Sequence, residues 1–505
     1  MAGTINIIGI VGAGAMGRGI AQIAAQAGLT VRLYDANADA VAAARGNLEQ
    51  TWGKLAEKGK LTAQAAQEAL ARIVPCAGLA DLADCQLVVE AIVERLEVKR
   101  EVFKQLEAVV ADDCILASNT SSLSITAIAA ACRLPSRVAG YHFFNPVPLM
   151  RVVEIVDGLR SDPAVGDALT ELARRMGHTP VRARDMPGFI VNHAGRGMNT
   201  EGLRVAQESV ASFAQIDAIM REQAGFRMGP FELLDLTALD VSHPVMESIY
   251  RQFFDEPRFR PSPITTVRLA GGLVGRKAGE GFYRYVDGQK QVPAEPAVPA
   301  MPAGLKVWVS GIHPQGHAAV SALLDQMGIE RASDSLAPDD ALIVVTPYGE
   351  DVSTAVFTQG LDPARTVGVD ALHGFDPKRR RTVMASPATL PQWRDAAHAL
   401  FAADGAPVSV IEDSPGFVAQ RIVATIVNIA CDIAQQRIAT AQDIDKAVTL
   451  GLGYPMGPLA MGDLLGAARI LEILRNMQRV TGDPRYRPSL WLQRRVQLKM
   501  SLLEG

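Results

Sequence analysis

The pentapeptide DMPGF at Asp185–Phe189 returns as DSPGF at Asp413–Phe417. The same offset of 228 pairs Ile216-Asp217 with Ile444-Asp445, Gly225 with Gly453, the RMGPF segment with PMGPL, and Asp235 with Asp463. Two unrelated helical domains could share a Gly-Pro helix start. So many pairs holding one ungapped offset instead mark an internal duplication, so whatever unit the first half builds, the second half must be able to build a version of it.

The first half starts with strand-like runs alternating with helical patterns. TINIIGIV, TVRLYD, QLVVEAIV, CILASN and RVAGYHFF are separated by an Ala-rich helix, a long helix through Lys58 and a helix around Phe103. Such alternation predicts a parallel sheet with helices on both faces over residues 1–184. Residues 185–290 read as helical. PAEPAVPAMPAG, within 291–304, is an extended Pro/Ala linker. LKVWVSGIHPQG, DDALIVVTPYG and RTVGVDAL then predict a shortened α/β unit over 305–412, followed by a second helical repeat over 413–505.

IVGAGAMGRGIAQIAAQAG sets Gly12, Gly14 and Gly17 between the first strand and helix in the G-x-G-x-x-G pattern. The three glycines suit a tight turn, a close backbone approach to a pyrophosphate, and close packing of helix on strand. The next strand ends in Asp35, placed to accept a ribose 2′-hydroxyl and to repel a 2′-phosphate, so NAD is expected over NADP. The predicted fold class is therefore α/β plus all-α: an N-terminal Rossmann-type NAD domain, a helical domain, a degenerate shortened Rossmann-like unit and a second helical repeat. In that second unit SGIHPQG carries His313 and Pro314 where the backbone would have to approach a ligand, so it is expected to be structural.

Composition narrows the function classes. Among 505 residues, 50 Lys and Arg face 54 Asp and Glu, a balance that argues against a polyanion-binding stripe. The five cysteines show no C-x-x-C pairing and no zinc spacing. No metal is expected, and neither is a nucleic-acid or membrane partner. With no apolar run of transmembrane length and a strand beginning by Ile5, a cytoplasmic protein is the expectation.

Two polar features fall at strand ends, where open parallel sheets bind ligands. CILASNTSSL exposes Ser118, Asn119, Thr120, Ser121 and Ser122, which could be an ordinary capped turn or part of a site, with Asn119 and Ser121 as cofactor candidates. YHFFNPVPLMRVVEIV holds His142 and Glu154 in an otherwise nearly apolar run. If LMRVVEIV is a strand, Met150, Val152, Glu154 and Val156 share a face. Asn145-Pro146 supplies a turn that lets His142 meet Glu154. A carboxylate on one imidazole nitrogen fixes the tautomer and leaves the other as a base, suited to taking an alcohol proton while hydride leaves. A buried pair with only a structural role remains the alternative.

GAGAMGRGIA, DLADCQLVVEAIVERLEVKREVF, ASNTSSLSIT, YHFFNPVPLMRVVEIV, DMPGFIVNH and GRKAGEGFYRY, in this order and spacing, resemble the L-3-hydroxyacyl-CoA dehydrogenase family, closely over residues 1 to about 290 and more loosely beyond. The resemblance implies His142 as general base, Glu154 as its orienting carboxylate, and Ser121 and Asn192 as the groups that hold the reacting oxygen and the thioester carbonyl. It implies Glu94, Lys99, Asn145 and Lys277 as NAD contacts, beside Gly12, Gly14, Gly17 and Asp35. Thr51 and Lys58 fall where coenzyme A is contacted, although both also fit a solvated helix face. The implied substrate is a 3-hydroxyacyl-CoA, such as 3-hydroxyadipyl-CoA or 3-hydroxybutyryl-CoA of phenylacetate or fatty acid catabolism. The two helical repeats are expected to pair within the chain, with a homo-oligomer left open. At the same offset His142 maps to Asp370, Glu154 to Thr382 and Asn192 to Gln420, so one active site per chain is expected. The competing expectations are a relative oxidising a free hydroxy or sugar acid, and a non-catalytic NAD-binding structural protein of crystallin type.

Overall fold

Eight strands form the first sheet of the computed structural model, which describes residues 4–505: β1 (Ile7–Val11), β2 (Thr30–Tyr34), β3 (Ile73–Pro75), β4 (Leu87–Glu90), β5 (Ile115–Ser118), β6 (Val138–Phe143), β7 (Val152–Asp157) and β8 (Thr179–Arg184), in the order β3-β2-β1-β4-β5-β6-β7-β8. β-Branched runs such as IIGIV and LVVE fill the central strands, which are buried as strands covered on both faces must be. Ile8, Ile10, Val31, Leu33, Leu87, Val89 and Ala117 belong to one core with Ile20, Ala21, Ala24 and Ala25 of the helix Ala15–Gln26. Helix starts follow local chemistry: Asn37 accepts from Asp39 N–H, Ser124 from Ala127 N–H, and Asp162 from Ala164 N–H just ahead of Pro163.

The sheet differs from the all-parallel expectation at one place. β7 runs antiparallel to β6, with His142 directly opposite Glu154 in the register. The cause is the connection: residues 144–151 are too few for a crossover and can only turn the chain back. β8 then returns to parallel pairing with β7.

The described residues fall into two units. The first comprises this α/β body through His193 together with Gln436–Leu452, whose helix Ala441–Leu452 packs on β7 and β8. The second comprises Ala194–Gln435 and Gly453–Glu504. It contains the hairpin of β9 (Arg284–Val286) and β10 (Gln289–Gln291), and a five-stranded sheet of β11 (Lys306–Val309), β12 (Ala341–Val345), β13 (Thr366–Val369), β14 (Arg381–Ala385) and β15 (Val408–Glu412). Within this five-stranded sheet only β13 and β14 pair antiparallel, as β6 and β7 do in the first sheet.

Within the second unit the helices Arg196–Gln207 and Ala419–Gln435 pack along each other. A Cβ on Gly197 would sit 3.0 Å from the Ile426 Cα, so glycine permits the close approach. The buried Arg421 is neutralised by Glu201 at 2.6 Å and Glu208 at 2.6 Å, with Tyr486 donating to Glu201 at 2.7 Å. A buried guanidinium needs such partners.

The duplicated pentapeptides adopt one conformation. Phe189 and Phe417 have φ of 48° and 53°, and the preceding Gly188 and Gly416 have 73° and 79°. Asp185 accepts from Ser124 Oγ, Ile125 N–H and Thr126 N–H, capping the helix Ile125–Ala129. Asp413 accepts from Val352 N–H and Ser353 N–H and caps the helix Val352–Gln359. Among the described residues no helix is long and apolar enough to cross a membrane.

Candidate active site

The carboxyl end of β1 opens into the glycine loop. Gly12 has φ 108°, and a Cβ there would meet the Ala91 carbonyl oxygen at 2.5 Å. A Cβ on Gly17 would sit 1.7 Å from the Gly12 carbonyl oxygen, an impossible approach. Gly14 is different, because a Cβ there would meet nothing within 4 Å. It is the N-cap of the helix Ala15–Gln26, provides no side-chain cap, and is followed by no acidic residue in the first turn. The first N–H groups of that helix therefore keep their capacity for an anion, on the open side of the loop. Beside them, Asp35 accepts Ala13 N–H at 2.7 Å and Asn37 N–H at 2.9 Å, which fixes its half-buried carboxylate against the loop. These residues fit a dinucleotide pyrophosphate and the adjoining ribose.

Two strands further along, the chain end of β5 is organised by carboxylates. Glu94 Oε1 gathers Thr120 Oγ1 at 2.7 Å, Ser121 N–H at 2.9 Å and Ser122 N–H at 3.1 Å, with both serine hydroxyls also in reach. Burial pushes the Glu94 carboxyl up, but Lys99 and these donors outweigh it and hold it below the ordinary carboxylate range. Lys99 is 1% exposed and spans Glu90 at 2.6 Å and Glu94 at 3.3 Å. Glu90 also accepts from Ser118 Oγ at 2.7 Å and from Ile92 N–H at 2.7 Å. Asn119 ties the strand ends together, donating its N–H to the Glu90 carbonyl at 2.8 Å and accepting Phe143 N–H at 2.8 Å.

His142 and Glu154 meet across β6 and β7. Nδ1 lies 2.6 Å from Glu154 Oε2 in a pair that is 4% and 0% exposed. Glu154 Oε1 accepts Ile190 N–H at 2.8 Å and Val191 N–H at 2.9 Å, the amides that follow the PGF turn. An acceptor-only group opposite Nδ1 assigns the ring proton to that nitrogen. Phe144 and Phe189 pack against the imidazole, with ring centroids 4.4 and 5.8 Å away. Among the described residues Nε2 meets no hydrogen-bond partner. Asn192, next after Val191, donates to the Ser121 carbonyl at 3.3 Å. A continuous chain of contacts thus links Ser121, Asn192, the Ile190–Val191 amides, Glu154 and His142.

The other residues singled out in the sequence have these surroundings. Asn145 is exposed at the cis Asn145–Pro146 turn. Thr51 donates to the Asn47 carbonyl on its own helix, and Lys58 ends that helix, both exposed. Lys277 belongs to the second unit, where it pairs with Asp240. Sequence reasoning passed over Glu90, a carboxylate inside an apolar strand, for which Lys99 nine positions on was the available signal. It also gave Asp185 no role, although its recurrence at Asp413 marked it.

In the second repeat Asp370 and Thr382 stand opposite each other across β13 and β14, as His142 and Glu154 do across β6 and β7. Asp370 accepts Gln420 Nε2 at 2.9 Å and Gln223 Nε2 at 2.9 Å, and Thr382 donates to Gln223 Oε1 at 2.6 Å. All four side chains are buried and satisfy one another. Burial raises the Asp370 carboxyl against the pull of Gln420. His313 and Pro314 occupy the start of the helix Pro314–Met327, and the proline brings no N–H to it. Among the described residues no cluster suited to a metal ion is present.

Glycine loop, acidic strand end and histidine–carboxylate pair on one sheet edge define the class: an NAD-dependent oxidoreductase of the Rossmann type. Residues 7–186 match the 3-hydroxyacyl-CoA dehydrogenase NAD binding domain, and 188–285 with 416–501 match the 3-hydroxyacyl-CoA dehydrogenase C-terminal domain. The chain belongs to the 3-hydroxyacyl-CoA dehydrogenase family. It is 38% identical over 497 residues, 98% of both chains, to the 3-hydroxyadipyl-CoA dehydrogenase of Escherichia coli K12. It is 44% identical over 277 residues to a probable 3-hydroxybutyryl-CoA dehydrogenase of Deinococcus radiodurans, covering 55% of this chain and 99% of that one. The crystal structure of 3-hydroxybutyryl-CoA dehydrogenase from Escherichia coli K12 superposes with a TM-score of 0.86 at 37% identity, covering 98% of each chain.

Proposed function

We propose that this protein oxidises an L-3-hydroxyacyl-CoA to the 3-oxoacyl-CoA with NAD, at a single site in its first repeat. The observation that carries this is the Glu154 carboxylate, which is buried, held by two backbone amides and directed at His142 Nδ1. His142 Nε2 takes the substrate's hydroxyl proton. Glu154 keeps the ring in the tautomer that makes Nε2 an acceptor, and its negative charge offsets the imidazolium that forms. Ser121, fixed by Glu94, and Asn192, fixed by the Ser121 carbonyl, hold the substrate oxygens. Gly12, Gly14, Gly17 and Asp35 hold the dinucleotide, with Asn119, Asn145 and Lys277 as further contacts and Glu94 and Lys99 shaping the loop. Bound NAD supplies the acceptor for the hydride leaving C3. Thr51 and Lys58 are the proposed coenzyme A contacts.

Over 98% of the chain the matches are named for 3-hydroxyadipyl-CoA and, in the solved structure, for 3-hydroxybutyryl-CoA, so the acyl group is proposed to be one of these. None of the five cysteines forms a disulfide, which suits a cytoplasmic setting. NADH formation with these two thioesters, longer 3-hydroxyacyl-CoAs and free hydroxy acids tests the proposal. Turnover of the thioesters is expected. Turnover of free acids alone would replace it with the hydroxy-acid alternative, and no turnover of any compound would leave a binding protein.

A further inference from the structure

By sequence the helix Ala441–Leu452 belongs to the second repeat, yet it packs on β7 and β8 of the first sheet. Its buried residues Ala441, Ile444, Ala447 and Val448 form a stripe at helical spacing, which Gly451 continues. Ahead of the helix, the Ile438 carbonyl accepts Arg184 N–H at 2.8 Å and extends the end of β8. At Gly451 the stripe meets residues that adjoin the His142–Glu154 pair. A Cβ there would lie 2.9 and 3.0 Å from the two Val191 methyls and 3.5 Å from a Val152 methyl. Val191 is one of the two residues whose N–H groups hold Glu154, and Val152 shares a strand and a face with Glu154.

The second repeat shows what happens when that position carries a side chain. The matching segment of the first repeat ends in the turn Ile219–Gln223, which packs on β14, and the Val210 carbonyl accepts Glu412 N–H at 3.0 Å just as Ile438 serves Arg184. Gln223 stands where Gly451 stands in the other copy. Its amide bonds Asp370 and Thr382, the residues at the places of His142 and Glu154.

We propose that the helix Ala441–Leu452 is a positioning element of the first repeat's active site, with Gly451 seating Val191 so that its amide stays on Glu154, at the position that Gln223 holds in the other copy. A second repeat that has lost its own chemistry is thereby retained as one wall of the site that works. This rests on the assignment of His142 and Glu154 as the catalytic pair.

The test compares Gly451→Ala in the wild-type and Val191→Ala backgrounds, on the full chain. In the wild-type background kcat should fall about tenfold, as small misplacements of catalytic groups do, with NAD affinity changed less than about twofold. In the Val191→Ala background, where the methyls that the new Cβ meets are gone, the same change should cost less than about twofold. Gly451→Gln should lower kcat further, to about one-hundredth of wild type. Amide hydrogen exchange at Ile190 and Val191 should speed up in Gly451→Ala, a readout independent of turnover. Equal loss of kcat in both backgrounds, or unchanged exchange at both amides, would overturn the proposal. Should His142→Gln retain full turnover, the catalytic assignment fails while the exchange result still decides the positioning.

Discussion

Replacing Glu154 by Gln changes one atom and should nearly abolish catalysis. The carboxylate accepts three hydrogen bonds: Ile190 and Val191 N–H on one oxygen, and His142 Nδ1–H on the other. Glutamine has a single carbonyl oxygen. The two backbone donors are buried and fixed, and leaving them unmet costs about 1–3 kcal/mol each, so they retain that oxygen. The amide NH2 then faces His142, whose Nδ1 must turn acceptor, and the neutral ring carries its proton on Nε2. That nitrogen can no longer take a proton. Regaining the productive tautomer sets N–H against N–H inside the protein, at about 2 kcal/mol, and the imidazolium loses its counter-charge for about as much again. A total of about 4 kcal/mol corresponds to roughly a thousandfold in kcat, about one order of magnitude less than the roughly 10⁴-fold effect of the analogous Asp-to-Asn change in a Ser-His-Asp triad. The assay is steady-state NADH formation at 340 nm, with NADH fluorescence for cofactor affinity, which should not change. A kcat within about fivefold of wild type would refute the tautomer argument.

The two glycines should separate folding from binding. Gly17→Ala cannot seat its methyl against the Gly12 carbonyl and should lower the melting temperature and lose NAD, whereas Gly14→Ala, facing open space, should fold normally and bind NAD at least about tenfold more weakly. Equal melting temperatures, or equal NAD affinity for Gly14→Ala and wild type, would contradict this. Calorimetric titration should find one NAD per chain, since His313 and Pro314 replace the loop glycines of the second unit; two would show that the second loop still binds. In the second unit, burial pushes the Asp217 carboxyl up to about 7 against the pull of Tyr283 and Phe231. The folded chain then holds this proton more tightly than the unfolded one, so stability should fall as pH rises from about 4 to 7, by on the order of 4 kcal/mol. Asp217→Asn should lack that dependence in urea unfolding, and a wild-type-minus-variant difference flat between about pH 5 and 8 would rule it out.

Much of this was legible in the chain because it depends on local spacing. A residue offset of 228 brings Asp370 and Thr382 to the same cross-strand register as His142 and Glu154, so alignment by motif carried through to geometry. The glycine loop was readable for a similar reason, each glycine answering to a contact within one βαβ unit. Other features depend on contacts that no local pattern encodes. β3 is only Ile73–Pro75, too short for any period. Glu90 looks like a misplaced charge in an apolar strand until Lys99 folds back on it. The helix Ala441–Leu452 reads as an ordinary amphipathic helix of the second repeat, and its seat on the first sheet rests on contacts between residues far apart in sequence, such as Gly451 and Val191.

The most direct test is the turnover of His142→Gln on the thioester that the wild-type enzyme uses best. With Glu154 and the glycine loop intact, NAD affinity should stay within about twofold of wild type while kcat falls by about two to four orders of magnitude. A variant that binds NAD normally and turns over at the wild-type rate would contradict the assignment of His142 as the base.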